Sequence, residues 1–294
     1  PTPHPHQATH DKPHDTQRQH TEHAHHQAKN EYDKQGGELL DNPEKLFKFI
    51  EAIKPERYYL YLTTNGYFLD EKMAKRLAEA GVDRVSVSID SMNPERHDEF
   101  RGKKGAHKHA MAALEHVKNA GMTPYLNITV GHFNALSDDI KQLCAYSEEK
   151  GYITLLNIAV PSGCWQGDTK VMVDEKDMEE LMRLRKKHGN IIRDAWNSFD
   201  RKHEGILGCN CVNRTYITPT GDVLVCPYLH IKIGNIYEQT LTEIVEYGFS
   251  IPQFRDHSDK CLAGEDKDFV NCYMQQEMSI FGPLDAHKLF PRDD

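Results

Sequence analysis

Apolar and polar positions along this chain repeat with two periods. Asn42-Pro43-Glu44 supplies an N-cap and a proline at the first helical position, and Leu46, Phe47, Ile50 and Ile53 then fall on one helical face. Aromatic and apolar residues at 57–62 predict a strand that ends in Thr63-Thr64-Asn65-Gly66. A helix over 70–80 stops at Gly81, and 84–89 (RVSVSI) alternates as a strand before a turn at 90–94. Helices at 106–120, 137–150 and 174–188 then take turns with strands at 124–130 and 153–160. Strand and helix in regular succession predict an α/β fold with a parallel sheet, open or closed as a barrel.

The rhythm changes near residue 205. Short strands at 214–219 and 222–225 flank Thr220-Gly221 and read as a hairpin. A short helix at 241–247 follows, then an irregular stretch holding Cys261 and Cys272. Apolar content there is thin for an independent core, and small units of this kind usually need a metal staple. Residues 1–35 differ from both parts. Eight histidines (His4, His6, His10, His14, His20, His23, His25, His26) stand among Gln, Thr, Asp and Pro, with too little apolar surface to offset the entropy of ordering. Their spacing also allows a metal-buffering tract, although Pro13 interrupts the helix that would align them. The expected division is 1–35 as a polar segment, 36–204 as the α/β unit, and 205–294 as a small cysteine-rich α+β unit.

Composition narrows the function. The 294 residues carry a formal charge of −9, which argues against general nucleic-acid binding. No apolar run approaches the roughly 18 residues of a membrane span, and the first 30 residues show no secretory h-region, so a cytoplasmic protein is expected. Five of the seven cysteines (Cys209, Cys211, Cys226, Cys261, Cys272) lie in the last 90 residues, a placement that favours metal or redox chemistry over a disulfide framework. The hairpin folds Cys209 or Cys211 toward Cys226, and Cys261 and Cys272 can complete a four-sulfur site for an iron–sulfur cluster or zinc. Of the other two, Cys144 reads as core. Cys164 lies in Pro161-Ser162-Gly163-Cys164-Trp165, a loop after the last strand expected in the α/β unit, where substrates commonly dock.

Other candidates gather at strand ends. Gly36 and Gly37 let the backbone approach a ligand closely, and Glu38 beside them can hold an ammonium group. Thr64 and Asn65 close one strand and Ser88 and Asp90 the next, at the edge where β/α barrels bind ligands.

In this order the segments resemble the radical S-adenosylmethionine (radical SAM) superfamily with a C-terminal SPASM or twitch auxiliary-cluster domain. GGELL with YLYLTTNGYFL is similar to the glycine motif and the strand after it. RVSVSIDSMNPERHDEFRG is similar to the next strand and loop, and CNCVNRTYITPTGDVLVCP to the auxiliary-cluster hairpin. The resemblance implies a partial (β/α)6 TIM-like barrel. There Glu38 would take the methionine amino group of S-adenosylmethionine, Ser88 and Asp90 would lie near its ribose, Arg101 would meet its carboxylate, and Asn127 would line the pocket. Cys226, Cys261, Cys209 or Cys211, and Cys272 would hold an auxiliary 4Fe–4S cluster, and Cys164 would be a candidate hydrogen donor. It also implies reductive cleavage of S-adenosylmethionine, hydrogen abstraction from a peptide or small molecule, and an electron donor such as flavodoxin or ferredoxin. One departure stands out. The family holds its catalytic cluster with CxxxCxxC upstream of Gly-Gly-Glu, and this chain has no cysteine before Cys144. A non-catalytic member that binds an iron–sulfur cluster or zinc for structure is the alternative.

Overall fold

The computed structural model describes residues 38–193, 209, 211–214, 216–255, 258, 260–276 and 282–291. The His-rich stretch, together with Gly36 and Gly37, lies outside them. Strands β1 (Tyr61–Thr64), β2 (Arg84–Ser88), β3 (Thr123–Val130), β4 (Ile153–Ile158) and β5 (Ile191–Arg193) form a parallel sheet in sequence order. Helix α1 (Pro43–Ile53) precedes it. Crossovers are made by α2 (Glu71–Glu79), the pair α3 (Pro94–Arg101) and α4 (Ala106–Asn119), α5 (Asp138–Lys150) and α6 (Glu175–Lys187). A parallel sheet wound in order with right-handed crossovers takes its helices on one face and curls as part of a barrel.

Register explains the two faces. Leu62 pairs with Val85, Val87 with Leu126 and Ile128 with Leu156, so this apolar face packs on Leu77, Ala113, Leu114 and Leu143 of the helices. The opposite face sets Thr63 beside Ser86, Ser88 beside Asn127 and Thr129 beside Asn157, a polar lining on the concave side.

Three elements of this unit depart from the sequence expectation, one of them β5, whose three residues pair with β4 beyond the strand expected to be last. The first strand begins at Tyr61 rather than near residue 57. Pro55–Arg57 forms a short 3-10 turn, and Tyr58 and Tyr59 precede the first paired position, Tyr61 with Arg84. Helix α3 replaces what the sequence marks only as the end of a turn. Its one buried side chain is His97, so it has no apolar stripe to read. Its caps define it, with Asn93 Oδ1 accepting from Arg96 N at 2.9 Å and Gly102 left-handed at φ 65°.

The second unit is a four-stranded sheet of β6 (Tyr216–Ile217), β7 (Asp222–Leu224), β8 (Ile231–Asn235) and β9 (Leu284–Asp285). The β6–β7 hairpin pairs Tyr216 with Leu224 and turns at Gly221, where φ is +83°. Helices α7 (Leu241–Ser250), α8 (Pro252–Arg255), α9 (Lys267–Tyr273) and α10 (Ala286–Leu289) accompany it. They share a second core of Val223, Val225, Ile231, Ile244 and Phe254 with Cys211 and Cys261, and Cys209 and Cys226 pack against it. Gln166, in the loop after β4, ties the two units by donating to the carbonyls of Met274 (2.9 Å) and Gln276 (3.0 Å).

Candidate cofactor cavity and cysteine cluster

A cavity of about 590 Å³ opens at the C-terminal ends of β1 and β2. Glu38, Thr64, Asn65, Tyr67, Ser88 and Arg101 are on its wall, as are His97 and Lys103. Glu38 caps the turn at Leu39–Asp41, and its carboxylate is pinned to the end of β1. Oε1 accepts from Thr64 Oγ1 (2.5 Å) and Leu40 N (3.3 Å), while Oε2 accepts from Asn65 N (2.8 Å). Thr64 Oγ1 in turn accepts from Gly66 N at 3.0 Å. Gly66 is left-handed at φ +78°, and a Cβ there would meet Ala110 Cα and Val87 Cγ1 at 2.9 Å, so this turn has room only for glycine.

Asp90 lies just beyond β2 and fixes the far wall. It accepts from Arg101 Nε at 2.6 Å and from Thr129 N at 3.0 Å. Its own N–H donates to His97 Nδ1 at 3.2 Å, which requires the unprotonated nitrogen there. Burial brings His97 down to about 4, with Arg101 and His107 adding to the effect and Asp90 opposing it. A neutral imidazole and one fixed guanidinium therefore face the cavity at pH 7. Asp90 and Asn127 do not line it. Asp90 positions Arg101, and Asn127 accepts from Asn157 Nδ2 at 2.7 Å on the concave face.

Three cysteine side chains make contact in the second unit, with Cys211 touching both Cys209 and Cys226, and Cys261 lies in the same core. Cys211 is buried and shares side-chain hydrogen bonds with both Cys209 and Cys226, which raises its thiol. Hydrogen bonds from the Cys211 thiol, Cys211 N–H and Leu262 N–H outweigh burial at Cys209 and bring it down to about 7. Tyr228 N donates to Cys226 Sγ at 3.4 Å. The Leu262 contact draws in its neighbour Cys261, buried in the same core, whose backbone N–H donates to Glu265 Oε2 at 2.8 Å. Thiols gathered in one core, with backbone N–H donors to Cys209 and Cys226, suit a soft-metal or iron–sulfur centre, so the residues present fit an auxiliary cluster. Cys211 stands between Cys209 and Cys226 rather than in place of Cys209. Cys272 is exposed on α9 and outside this core.

Cys144 is fully buried, which pushes its thiol up to about 12. Cys164 is exposed in the turn Gly163–Trp165. Sequence reasoning missed Tyr67, His97 and Lys103 as cavity residues, because the helix that carries His97 has no periodic signal. No described helix is long and apolar enough to cross a membrane.

A model of the radical SAM superfamily matches residues 12–146, and a model of the SPASM iron–sulfur cluster-binding domain matches residues 209–272. The AdoMet-dependent heme synthase of Methanosarcina barkeri is 28% identical over 249 residues, covering 75% of this chain and 69% of its own. A probable GTP 3',8-cyclase of Methanosarcina acetivorans is 28% identical over 224 residues, covering 72% and 66%. The chain thus spans about two thirds of the length of these relatives. The solved structure of native anSMEcpe with bound AdoMet shares the fold, with a TM-score of 0.54 at 19% identity over 82% of this chain and 68% of that one. By its two matched domains, this chain belongs to the radical SAM superfamily and carries a SPASM domain after the barrel.

Proposed function

We propose that the barrel binds S-adenosylmethionine in the cavity beside Glu38, within an oxidoreductase of the radical SAM type. One observation carries this reading. A pinned carboxylate and a positioned guanidinium share a single cleft, which provides for the ammonium and carboxylate of an amino-acid ligand. Ser88 offers a hydroxyl for the ribose. Cys209, Cys211, Cys226 and Cys261 would hold a 4Fe–4S cluster, which supplies one-electron chemistry when bound. Flavodoxin or ferredoxin is the proposed electron donor. The similarity to a heme synthase supports a tetrapyrrole as the substrate.

The catalytic cluster is another matter. The superfamily match starts at residue 12, yet the chain has no cysteine before Cys144, so the residues present do not fit a three-thiolate cluster on the barrel. This favours a second reading, in which the chain binds S-adenosylmethionine and one SPASM cluster without cleaving the ligand. Iron and sulfide analysis of anaerobically purified protein, with calorimetric titration of S-adenosylmethionine and a 5′-deoxyadenosine assay after reduction, separates the two. About four irons and binding without cleavage support the second reading, and about eight irons with 5′-deoxyadenosine support the first. No binding of S-adenosylmethionine would overturn both.

A further inference from the structure

Three aromatic side chains meet outside the cavity at the C-terminal edge of the sheet. Phe100 comes from the last turn of α3, Phe133 from the loop after β3, and Trp165 from the turn after β4. Their ring centroids are 5.6–6.2 Å apart, with tilts of 32–49°. None belongs to either hydrophobic core, and Phe100 and Phe133 are 37% and 48% exposed. Single exposed apolar residues are ordinary, but a contiguous cluster brought together from a helix end and two loops marks a candidate binding surface.

Two observations indicate what covers it. The patch is continuous with the cavity, because Arg101 lines that cavity and sets its guanidinium 5.6 Å from the Phe100 ring. The turn after Phe100 is also basic. It carries Arg101, Lys103 and Lys104, with both lysines exposed, in a chain whose formal charge is −9. An apolar, ring-bearing and anionic ligand matches both. Rings tilted to one another at this spacing offer faces and edges over a patch on the order of 10 Å across, and the similarity to a heme synthase directs the choice of an apolar ring system to a macrocycle.

We infer that Phe100, Phe133 and Trp165 form the docking face for a flat macrocycle bearing carboxylates, which would lie toward Lys103 and Lys104. The inference rests on the tetrapyrrole reading above and assigns it a site.

The test is titration of the protein as purified with coproporphyrin III, followed by the porphyrin absorption band. Phe133→Ala and Trp165→Ala are each expected to weaken binding by about tenfold, the loss of one or two aromatic contacts. Trp165→Phe should recover most of that loss, and Phe49→Ala, which removes a 61% exposed ring on α1, should change nothing. The melting temperature of each variant shows that it folds. Wild-type affinity retained in both alanine variants would overturn the docking face while leaving the tetrapyrrole reading in place. An equal loss in Phe49→Ala would reduce the effect to non-specific stacking and also overturn it. A wild-type chain that ignores the porphyrin, or that binds GTP or a peptide there instead, would overturn both.

Discussion

The barrel and the cysteine-rich unit prepare their sites from different materials. In the barrel, site side chains stand at the ends of strands whose other face is anchored in a large apolar core, and they are held by backbone N–H groups and by one another. In the second unit, strands run two to five residues, and Cys211 and Cys261 are themselves members of the core. Barrel geometry therefore precedes its ligand. In the smaller unit the proposed ligand atoms stand where apolar side chains would otherwise be, so a bound cluster would be coupled to the fold.

The largest expected effect tests that coupling. Cys226→Ser should drop bound iron from about four per chain to near zero. It should also open the amides around β6–β8 to hydrogen exchange while those of β1–β4 stay protected. Protection retained in β6–β8 without metal would show that the second core stands by itself and would erase the contrast.

Gly66→Ala attacks the barrel side. A left-handed φ and a Cβ at 2.9 Å from Ala110 Cα require the backbone to move, at a cost of about 3 kcal/mol. Thermal unfolding should register it while iron content stays at the wild-type value. A similar cost belongs to His97 in acid. Its folded value of about 4 lies below the usual 6.5, so the native state binds fewer protons and stability falls as pH drops from about 6.5 to 4. The shift corresponds to about 3 kcal/mol, and denaturant titrations of His97→Gln should lose that acid slope.

Glu38→Ala sharpens the comparison at the ligand. It removes the proposed ammonium partner and leaves Asn65 N–H without its acceptor, so affinity for S-adenosylmethionine should fall by about 2 kcal/mol, roughly thirtyfold. An unchanged affinity would move the ligand elsewhere.

The two regions also differed in how much their sequences disclosed. Strand and helix periods, helix-ending glycines and Thr64-Asn65-Gly66 outlined the barrel, because a helix-covered parallel sheet imposes long, regular apolar spacing. Helix α3 escaped because its single buried residue is a histidine. In the second unit β8 and β9 escaped, since short strands leave little pattern. The cysteines were legible as a group, but their partition was not. The hairpin reading offered Cys211 only as the rival of Cys209, whereas Cys211 contacts both Cys209 and Cys226, and Cys272 falls on an exposed helix face. Only the Trp165 loop of the docking face was legible, as a loop where substrates dock, since Phe100, Phe133 and Trp165 are some thirty residues apart and the fold unites them.

The smallest effect concerns His132, next to Phe133. Its Nδ1 lies 2.8 Å from Asp177 Oδ2 and 3.7 Å from Asp174 Oδ2, at the N-terminus of α6 where these two aspartates form a capping box. The hydrogen bond with Asp177 and its charge raise the His132 value. The folded state therefore binds the proton more tightly than the unfolded chain. The resulting stabilisation is complete below about 6.5 and is lost as pH rises through the folded value, the reverse of the His97 slope. His132 is exposed, so solvent and salt screen the pair. His132→Gln should lower the melting temperature slightly at pH 6, less at high salt, and not at all at pH 9. A variant that melts lower by the same amount at every pH would show that His132 acts through packing beside Phe133 rather than through its charge.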